Sequence, residues 1–564
     1  MQLFGKISGH QILEELELTN NQEFIKLLPV SVLPLSKVVS DYIESKDSIT
    51  QRFQSFATDY KSLLYKRLSE TQKHRNFINS LFTKHTEKNP FSDSQNESLK
   101  LFQSKNAAAV VTGQQAGLLG GPLYVWSKIA HTIARAKKAT IELQHPVVPI
   151  FWLEDNDHDT EEAGTANFFD SHYDVDTLKY SKTRDQNAVL SSLYLDESVE
   201  VYLKKLFELK SNQFVKEQIE RIIPFLRAGT SVSDSFHSLV HTSFKDYGLL
   251  ILRSSDIREN KGYVEILQQE FENPIASFEA IKKGTYSVLE KGYKEQVQVQ
   301  VGQAFYHDGI KRKKISINSE GKYTFHTRTV LKSEFIELFQ NEPTNFSPSA
   351  LLRLVSQDVL LPSIEVVVGP GELAYAAQTK ELYSLYNITQ PKFVFRNHSC
   401  ALLESSIERT LQRESRPLEW CFLESSILER EINEELIKNY SVEENYKELN
   451  ETIAQSFLKL KKPIVLLDKS MLGHFLSLEQ KFLKLIKKSK KKTIASVKRQ
   501  NNLRLDKIKL ISKLFLPKGR QQERYICSSY FMIKYGIEEL PRLLVKSFEG
   551  NEQKLVVLPS INPK

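Results

Sequence analysis

The sequence is poor in cysteine. Three residues, Cys400, Cys421 and Cys527, are spread over the last third of a 564-residue chain, which gives neither a disulfide framework nor a metal-binding pair. Long apolar runs are missing too. No stretch approaches the roughly 20 residues that a membrane span requires, and the opening "MQLFGKISGHQILEELEL" turns acidic without the apolar core of a signal peptide. These absences point to a cytoplasmic protein with no membrane contact. No H-x-H or H-E-x-x-H pattern occurs, so a zinc hydrolase lacks its usual ligand set. Neither G-x-G-x-x-G nor a loop ending in G-K-[ST] is found, which argues against a dinucleotide fingerprint and a P-loop. Charge of one sign is not in large excess: 77 basic residues against 69 acidic give +8, enough to suit anionic small molecules without specifying nucleic acid.

What is present reads as an ordinary soluble composition, 40% hydrophobic and 26% charged, in a chain too long for one core. Residues 1–106 read mostly helical. From 107 the pattern changes to an apolar run ending in glycine, a helix, and a second apolar run ending in acids. "GLLILRSSD" (248–256), "LPSIEVVVGPGELAYAAQ" (361–378) and "KFVFRNHS" (392–399) repeat that form. Strand, polar turn and helix in alternation predict an α/β fold with a Rossmann-like parallel sheet. Its parts are 107–165, 246–282 and 346–400, separated by insertions at 166–245 and 283–345. In the second insertion the alternation of "EQVQVQVGQAFYHDG" and "KKISINSEGKYTFHT" predicts antiparallel strands. Beyond 400 the strands are expected to stop. Leu449, Ile453, Phe457 and Leu460, then Phe475, Leu478, Phe482 and Leu485, recur at helical spacing, predicting a long helical coiled coil within 401–515 and a separate C-terminal segment, 516–564. A homodimer through that coiled coil is one use; a lid on the protein's own core is the other.

In an open α/β sheet, ligands gather beyond the carboxyl ends of the strands. The stretch "VVTGQQAGLLGGPLYVWSK" (110–128) places Gly113, Gln114, Gln115, Gly117, Gly120, Pro122 and Tyr124 there, with Lys128 in the following helix. Each glycine costs about 0.5–1 kcal/mol relative to alanine within regular structure, so the cluster serves either a phosphate-contacting loop or a demanding turn. "EDNDHDTEE" (154–162) supplies Asp157, His158 and Asp159 as acid–base groups or ligands for Mg²⁺, against the alternative of a solvated acidic loop. Ser254 and Asp256 end the third run, and Gly369, Gly371, Glu372 and Tyr375 follow the fourth. Arg396 sits in the last turn. These strand ends would converge on one crevice. The basic "KKSKKK" (487–492) has no interleaved aromatics for base stacking and reads as a solvated helix face.

"VVTGQQAGLLGGPLY", "PIFWLEDNDHD", "FSPSALLRLVSQDVLLP", "VGPGELAYAAQ" and "LPKGRQQER" together resemble the bacillithiol biosynthesis cysteine-adding enzymes, in order from about 107 to 524. The resemblance implies a ligase that adds cysteine to the amine of a glucosamine–malate conjugate. It also implies a Rossmann-type core with two connective insertions, like those of class I aminoacyl-tRNA synthetases, and a dimerising coiled coil. Activating a carboxylate for amide formation would call for ATP, cleaved to AMP or ADP. In that reading Lys128 and the glycine-rich backbone hold phosphates, and Asp157 and Asp159 hold Mg²⁺ or a substrate amino group. His158 or a carboxylate then takes the proton of the attacking amine.

Two departures accompany the resemblance. Where the family pattern reads Glu-Asp-His-Asp this chain has Asn156, leaving Glu154 or Asp155 to replace that glutamate. The synthetase His-Ile-Gly-His element is only echoed, and Arg396 stands where a lysine-rich loop would supply charge. A non-catalytic nucleotide-binding dimer signalling through its coiled coil is the alternative reading. A metal-dependent hydrolase built on the acidic loop and a synthetase-like RNA binder stand further off.

Overall fold

The computed structural model describes residues 25–54, 59–104, 106–157, 159–180, 188–208 and 212–560. Eight strands matter for the site: β1 (Lys26–Pro29), β2 (Ala108–Gln115), β3 (Val147–Glu154), β4 (Leu250–Arg253), β5 (Ser363–Val368), β6 (Lys392–Phe395), β7 (His398–Ala401) and β8 (Lys554–Leu558). β2 to β6 form one five-stranded sheet in the order β6-β5-β2-β3-β4, every neighbouring pair parallel. The apolar runs predicted to be buried strands are buried along nearly their whole length, as strands covered on both faces must be. Ala108, Val110, Ile364 and Val367 of the sheet pack with Leu64 and Leu68 and with Ala136, Ala139 and Leu143 of helix α1 (Tyr124–Leu143). Small alanines on that helix face let it approach the sheet closely.

Some expectations fail at the ends of this core. The N-terminal hundred residues are not purely helical, because β1 pairs antiparallel with β8, and strands do not end at 400, because β8 also pairs parallel with β7. "KFVFRNHS" is two strands rather than one: β6 belongs to the main sheet, and after Arg396 and Asn397 the chain changes sheet into β7. The stretch "EQVQVQV" forms no strand. No neighbouring strand edge takes its backbone; instead the Gln378 side chain accepts from the N–H groups of Gln296 (3.2 Å) and Val297 (3.1 Å). Later in the second insertion antiparallel strands do form, as the alternation predicts, in two three-stranded sheets, one of them completed by Phe346–Pro348 beyond it, and a helix spans Lys332–Asn341. Helices α2 (Ala350–Leu360) and α3 (Pro370–Ala376) flank β5.

Residues 1–403 and 522–564 form one compact unit and 404–521 a second, so the C-terminal segment returns to the sheet-bearing unit. The second unit contains the predicted hairpin, α4 (Val442–Leu467) and α5 (Met471–Gln500). Tyr446 near the start of α4 meets Ser489 and Thr493 late in α5, each at 2.8 Å, which fixes the antiparallel arrangement. Phe457 and Phe475 are buried as expected, but Leu460 and Leu485 are 56% and 62% exposed. Ile486 and Val497 are the other buried positions of α5, since two helices bury only one stripe of each other. No helix among the described residues is long and apolar enough to cross a membrane.

Candidate functional site

The strand order reverses between β2 and β5. Neighbouring connections leave in opposite directions there, which opens a crevice at the carboxyl ends of the strands. A cavity of about 500 Å³ occupies it, within the range of small-molecule sites. Its lining includes Gly113, Gln114 and Gln115 at the end of β2, Glu154 at the end of β3 with Asp157 past it, and Gly369, Gly371, Glu372 and Tyr375 past β5. Tyr124 and Lys128 enter from α1, Arg353 from α2, Arg396 from the turn after β6, and Arg524 from the C-terminal segment. The second insertion adds Gln296, Phe305 and Arg312. The strand-end convergence expected from the sequence is therefore real for Gly113, Gln114, Gln115, Tyr124, Lys128, Asp157, Gly369, Gly371, Glu372, Tyr375 and Arg396.

The charges within the cavity are not equivalent. Lys128 is almost wholly buried and spends its three donors on the Gly113 carbonyl (2.6 Å), Gln114 Oε1 (3.3 Å) and Glu372 Oε2 (2.6 Å). Burial pulls its pKa down while the Glu372 carboxylate opposes that shift. Lys128 is thus a brace across the crevice rather than a free phosphate grip. Arg396, fully buried, is held by Glu523 through two hydrogen bonds of 3.0 and 2.7 Å. Glu523 also accepts from His398 Nδ1 (2.6 Å) and the Ser399 N–H (2.9 Å). Burial acts to raise the Glu523 pKa, but Arg396 and His398 hold it well below the usual carboxylate range. The guanidinium groups of Arg396 and Arg524 lie 5.4 and 5.6 Å from the Tyr124 ring centroid, and the Tyr124 hydroxyl accepts from Gln114 Nε2 at 2.8 Å. Arg353 differs from both. Its guanidinium donates to Gln357 Oε1 and the Tyr375 hydroxyl, each at 3.2 Å, and has no carboxylate partner among the described residues.

Other expected site residues lie elsewhere. Gly117, Gly120 and Pro122 do not line the cavity. A Cβ on Gly117 would sit 2.8 Å from Gly121 Cα, and Gly120 has φ +82° with the Trp126 ring 2.9 Å from any Cβ. The Ser528 N–H donates to the Gly121 carbonyl at 2.7 Å, and Cys527 Sγ and Ser529 Oγ donate to the Leu119 carbonyl. The tight glycine turn exists to receive the C-terminal segment, so the phosphate-loop reading of these glycines gives way to turn geometry. Ser254 is buried beneath the acidic loop, hydrogen-bonded to Glu154, Asp155 and Asn156. Asp256 pairs with Lys84 and His85, away from the cavity.

In the acidic loop, Asp159 caps the helix Thr160–Ala163 by accepting from the Glu162 N–H at 3.0 Å. Asp157 faces Arg312 at 3.8 Å. Asp157 and Asp159 thus each engage a partner within the protein, and no group of three or more metal-ligating His, Cys, Asp or Glu side chains occurs among the described residues. His158 lies outside the described residues. Of the two acids near Asn156, Asp155 is buried in an ion pair with Arg253 (2.9 Å). Glu154 faces the cavity and accepts from Trp152 Nε1 (3.1 Å) and Ser254 Oγ (2.8 Å).

Arg353, Arg312, Glu523 and Arg524 are site residues that composition and spacing do not single out. Arg353 is inside "FSPSALLRLVSQDVLLP" and Glu523 and Arg524 are inside or beside "LPKGRQQER", stretches marked only by resemblance. Arg312, in a basic alternating strand, carries no mark at all.

The fold and cavity define a Rossmann-like α/β protein with a small-molecule crevice at its topological switch point, joined to a helical coiled-coil unit. The chain belongs to the BshC family of bacillithiol biosynthesis: residues 25–397 match its N-terminal Rossmann-like domain and residues 400–558 its C-terminal coiled-coil domain. Similar proteins, each named "Putative cysteine ligase BshC", occur in Chlorobaculum tepidum (24% identical, covering 90% of this chain and 94% of the relative) and in Salinibacter ruber (26%, covering 78% and 80%). A third, from Staphylococcus aureus, is 26% identical and covers 75% of this chain and 79% of the relative.

Proposed function

We propose that this chain is a cytoplasmic, homodimeric ligase that joins the carboxylate of cysteine to the amine of a glucosamine–malate conjugate, with ATP activating the carboxylate. The observation that carries the reading is the charge of the cavity. Arginines from α2, the second insertion and the C-terminal segment share its walls with the carboxylates Glu154, Asp157 and Glu372, a lining suited to ligands that bear both carboxylate or phosphate and amine. Family membership and the names of the relatives supply the identity of those ligands.

ATP, when bound, supplies a phosphoryl or nucleotidyl group that turns one carboxylate oxygen of cysteine into a leaving group. Arg524, spread over Tyr124 at the cavity wall, is the side chain we assign to the added negative charge. Asp157 is the carboxylate we assign to the proton of the attacking amine. The exposed apolar side chains of α4 and α5, among them Leu458, Leu460, Leu466 and Leu485, favour a dimer through the coiled coil; sedimentation of the full chain checks it.

The decisive assay incubates the full chain with cysteine, the glucosamine–malate conjugate and ATP, and follows the condensed product by mass spectrometry. Product should form only with all three present. ATP binding without product would favour the non-catalytic nucleotide-binding dimer, and product formed without any nucleotide would overturn the activation step.

A further inference from the structure

Around Gly113 the cavity holds two groups of opposite charge whose partners leave them open to a ligand. Glu372 is the first. Its Oε2 takes both the Lys128 ammonium (2.6 Å) and the Gly369 N–H (2.8 Å), while its Oε1 has no partner among the described residues. The residue lines the cavity. The open oxygen remains a hydrogen-bond acceptor. Arg353 is the second, a guanidinium lining the same cavity with only the neutral partners Gln357 and Tyr375. The Glu154 and Glu372 charges act on it without hydrogen-bonding to it, so its fork is left for a ligand carboxylate.

The two are built into one frame. Glu372 and Tyr375 are three residues apart on α3, where side chains share a face, and Tyr375 holds Arg353. Gly113 adjoins Arg353 and the lysine that holds Glu372. Its carbonyl accepts from Lys128, the partner of Glu372, and a Cβ on its backbone would stand 3.2 Å from Arg353 Nη1. A free α-amino acid carries a carboxylate and an ammonium on one carbon, and this frame presents one counter-charge for each.

We propose that Arg353 and Glu372 form the amino-acid subsite of the cavity, Arg353 taking the α-carboxylate and Glu372 Oε1 the α-ammonium of the bound amino acid. The assignment rests on the ligase reading for the identity of that amino acid as cysteine. Arg353 also fixes which carboxylate oxygens remain free to react. The lysine brace fixes Glu372 through its other oxygen, and glycine at 113 leaves room beside the Arg353 guanidinium.

The test is calorimetric titration of the full chain, under reductant, with L-cysteine, cysteamine and 3-mercaptopropionate, which lack nothing, the carboxylate and the ammonium respectively. A hydrogen bond to a charged group is worth enough that each analogue should bind about 10- to 100-fold more weakly than cysteine. Arg353→Gln should abolish the preference for cysteine over cysteamine and retain that over 3-mercaptopropionate; Glu372→Gln should do the reverse. Arg353→Lys should restore part of the carboxylate preference. If Glu372→Gln fails to fold for want of the acid beside Lys128, Arg353→Gln decides the matter alone, since its partners are neutral.

Equal binding of all three ligands by the unaltered chain, or equal weakening of all three in Arg353→Gln, overturns the subsite. So does a loss of ATP affinity in Arg353→Gln with cysteine binding unchanged. The ligase reading fails separately. Product formation with an unaltered KM for cysteine in Arg353→Gln removes the subsite and keeps the ligase, whereas intact analogue preferences without product keep the subsite and remove the ligase.

Discussion

Gly113 and Gly120 sit seven positions apart in one glycine-rich stretch and are glycine for different reasons. At Gly120 the backbone is left-handed (φ +82°), and a Cβ would run into Trp126 and Ser528. Gly120→Ala should therefore lower unfolding stability by about 1–3 kcal/mol, measurable by urea titration. Gly117→Val meets Gly121 Cα and should behave alike, so loss of ligand binding in that variant would report the fold and not a phosphate contact. Gly113→Ala meets the tip of the Arg353 side chain at 3.2 Å and Trp152 at ordinary contact distance. It should leave stability within about 1 kcal/mol of the starting protein and weaken cysteine binding in the same titration. Composition flags the cluster, because glycines cost backbone entropy. It cannot distinguish a glycine that faces a cavity from one that faces another segment of its own chain. Arg353 illustrates the converse, since an arginine inside an apolar helical stretch acquires meaning only from the glycine that stands opposite it.

At the scale of elements, the segment after residue 521 is the part least visible in the sequence. Its Glu523 anchors Arg396 and His398, and its residues 527–529 hold the glycine turn. Glu523→Gln would leave Arg396 and His398 buried without their acid, a change that costs about 3–5 kcal/mol for a broken buried pair; a correspondingly lower urea midpoint is the expected result. The same segment carries Cys527, one of three free and buried cysteines, whose thiol burial pushes up to about 12. The native protein should therefore react with none of an aromatic disulfide reagent over minutes, and with three equivalents once unfolded. Fast reaction of one thiol would mean that the segment opens. Strands buried on both faces were legible as apolar runs, and the hairpin as paired helical seams. "EQVQVQV" was misread because alternation records which side chains suit a strand, while a strand also needs a partner edge, and Gln378 takes that place.

For the whole sheet-bearing unit, buried histidines set the response to acid. Burial, reinforced by Arg135 beside His131 and by Arg253 beside His237, lowers each imidazole pKa from 6.5 to about 3. Burial with Arg258 and Arg312 nearby does the same to His307. The unfolded chain binds protons that the folded one refuses, so their stabilising effect is complete above about pH 6.5 and is lost as pH falls toward 3, by at most about 1.4 kcal/mol per pH unit for each group. Urea midpoints taken at pH 8, 6 and 5 should fall in that order, and a midpoint that rose on acidification would contradict the buried neutral state.

By itself the sequence determined the alternation of strand and helix, the coiled-coil hairpin and most of the strand ends that meet in the crevice. Those features are local, since period, apolar run length and turn chemistry are properties of neighbouring residues. Only the tertiary structure decided which glycines face the cavity, that Lys128 is engaged by Glu372, that Asp159 caps a helix, and that the last forty residues close the sheet-bearing unit. Apart from the Asp159 cap, which is local, each of these depends on what a residue meets across hundreds of positions of chain, and burial and pairing at that distance leave no period in the sequence.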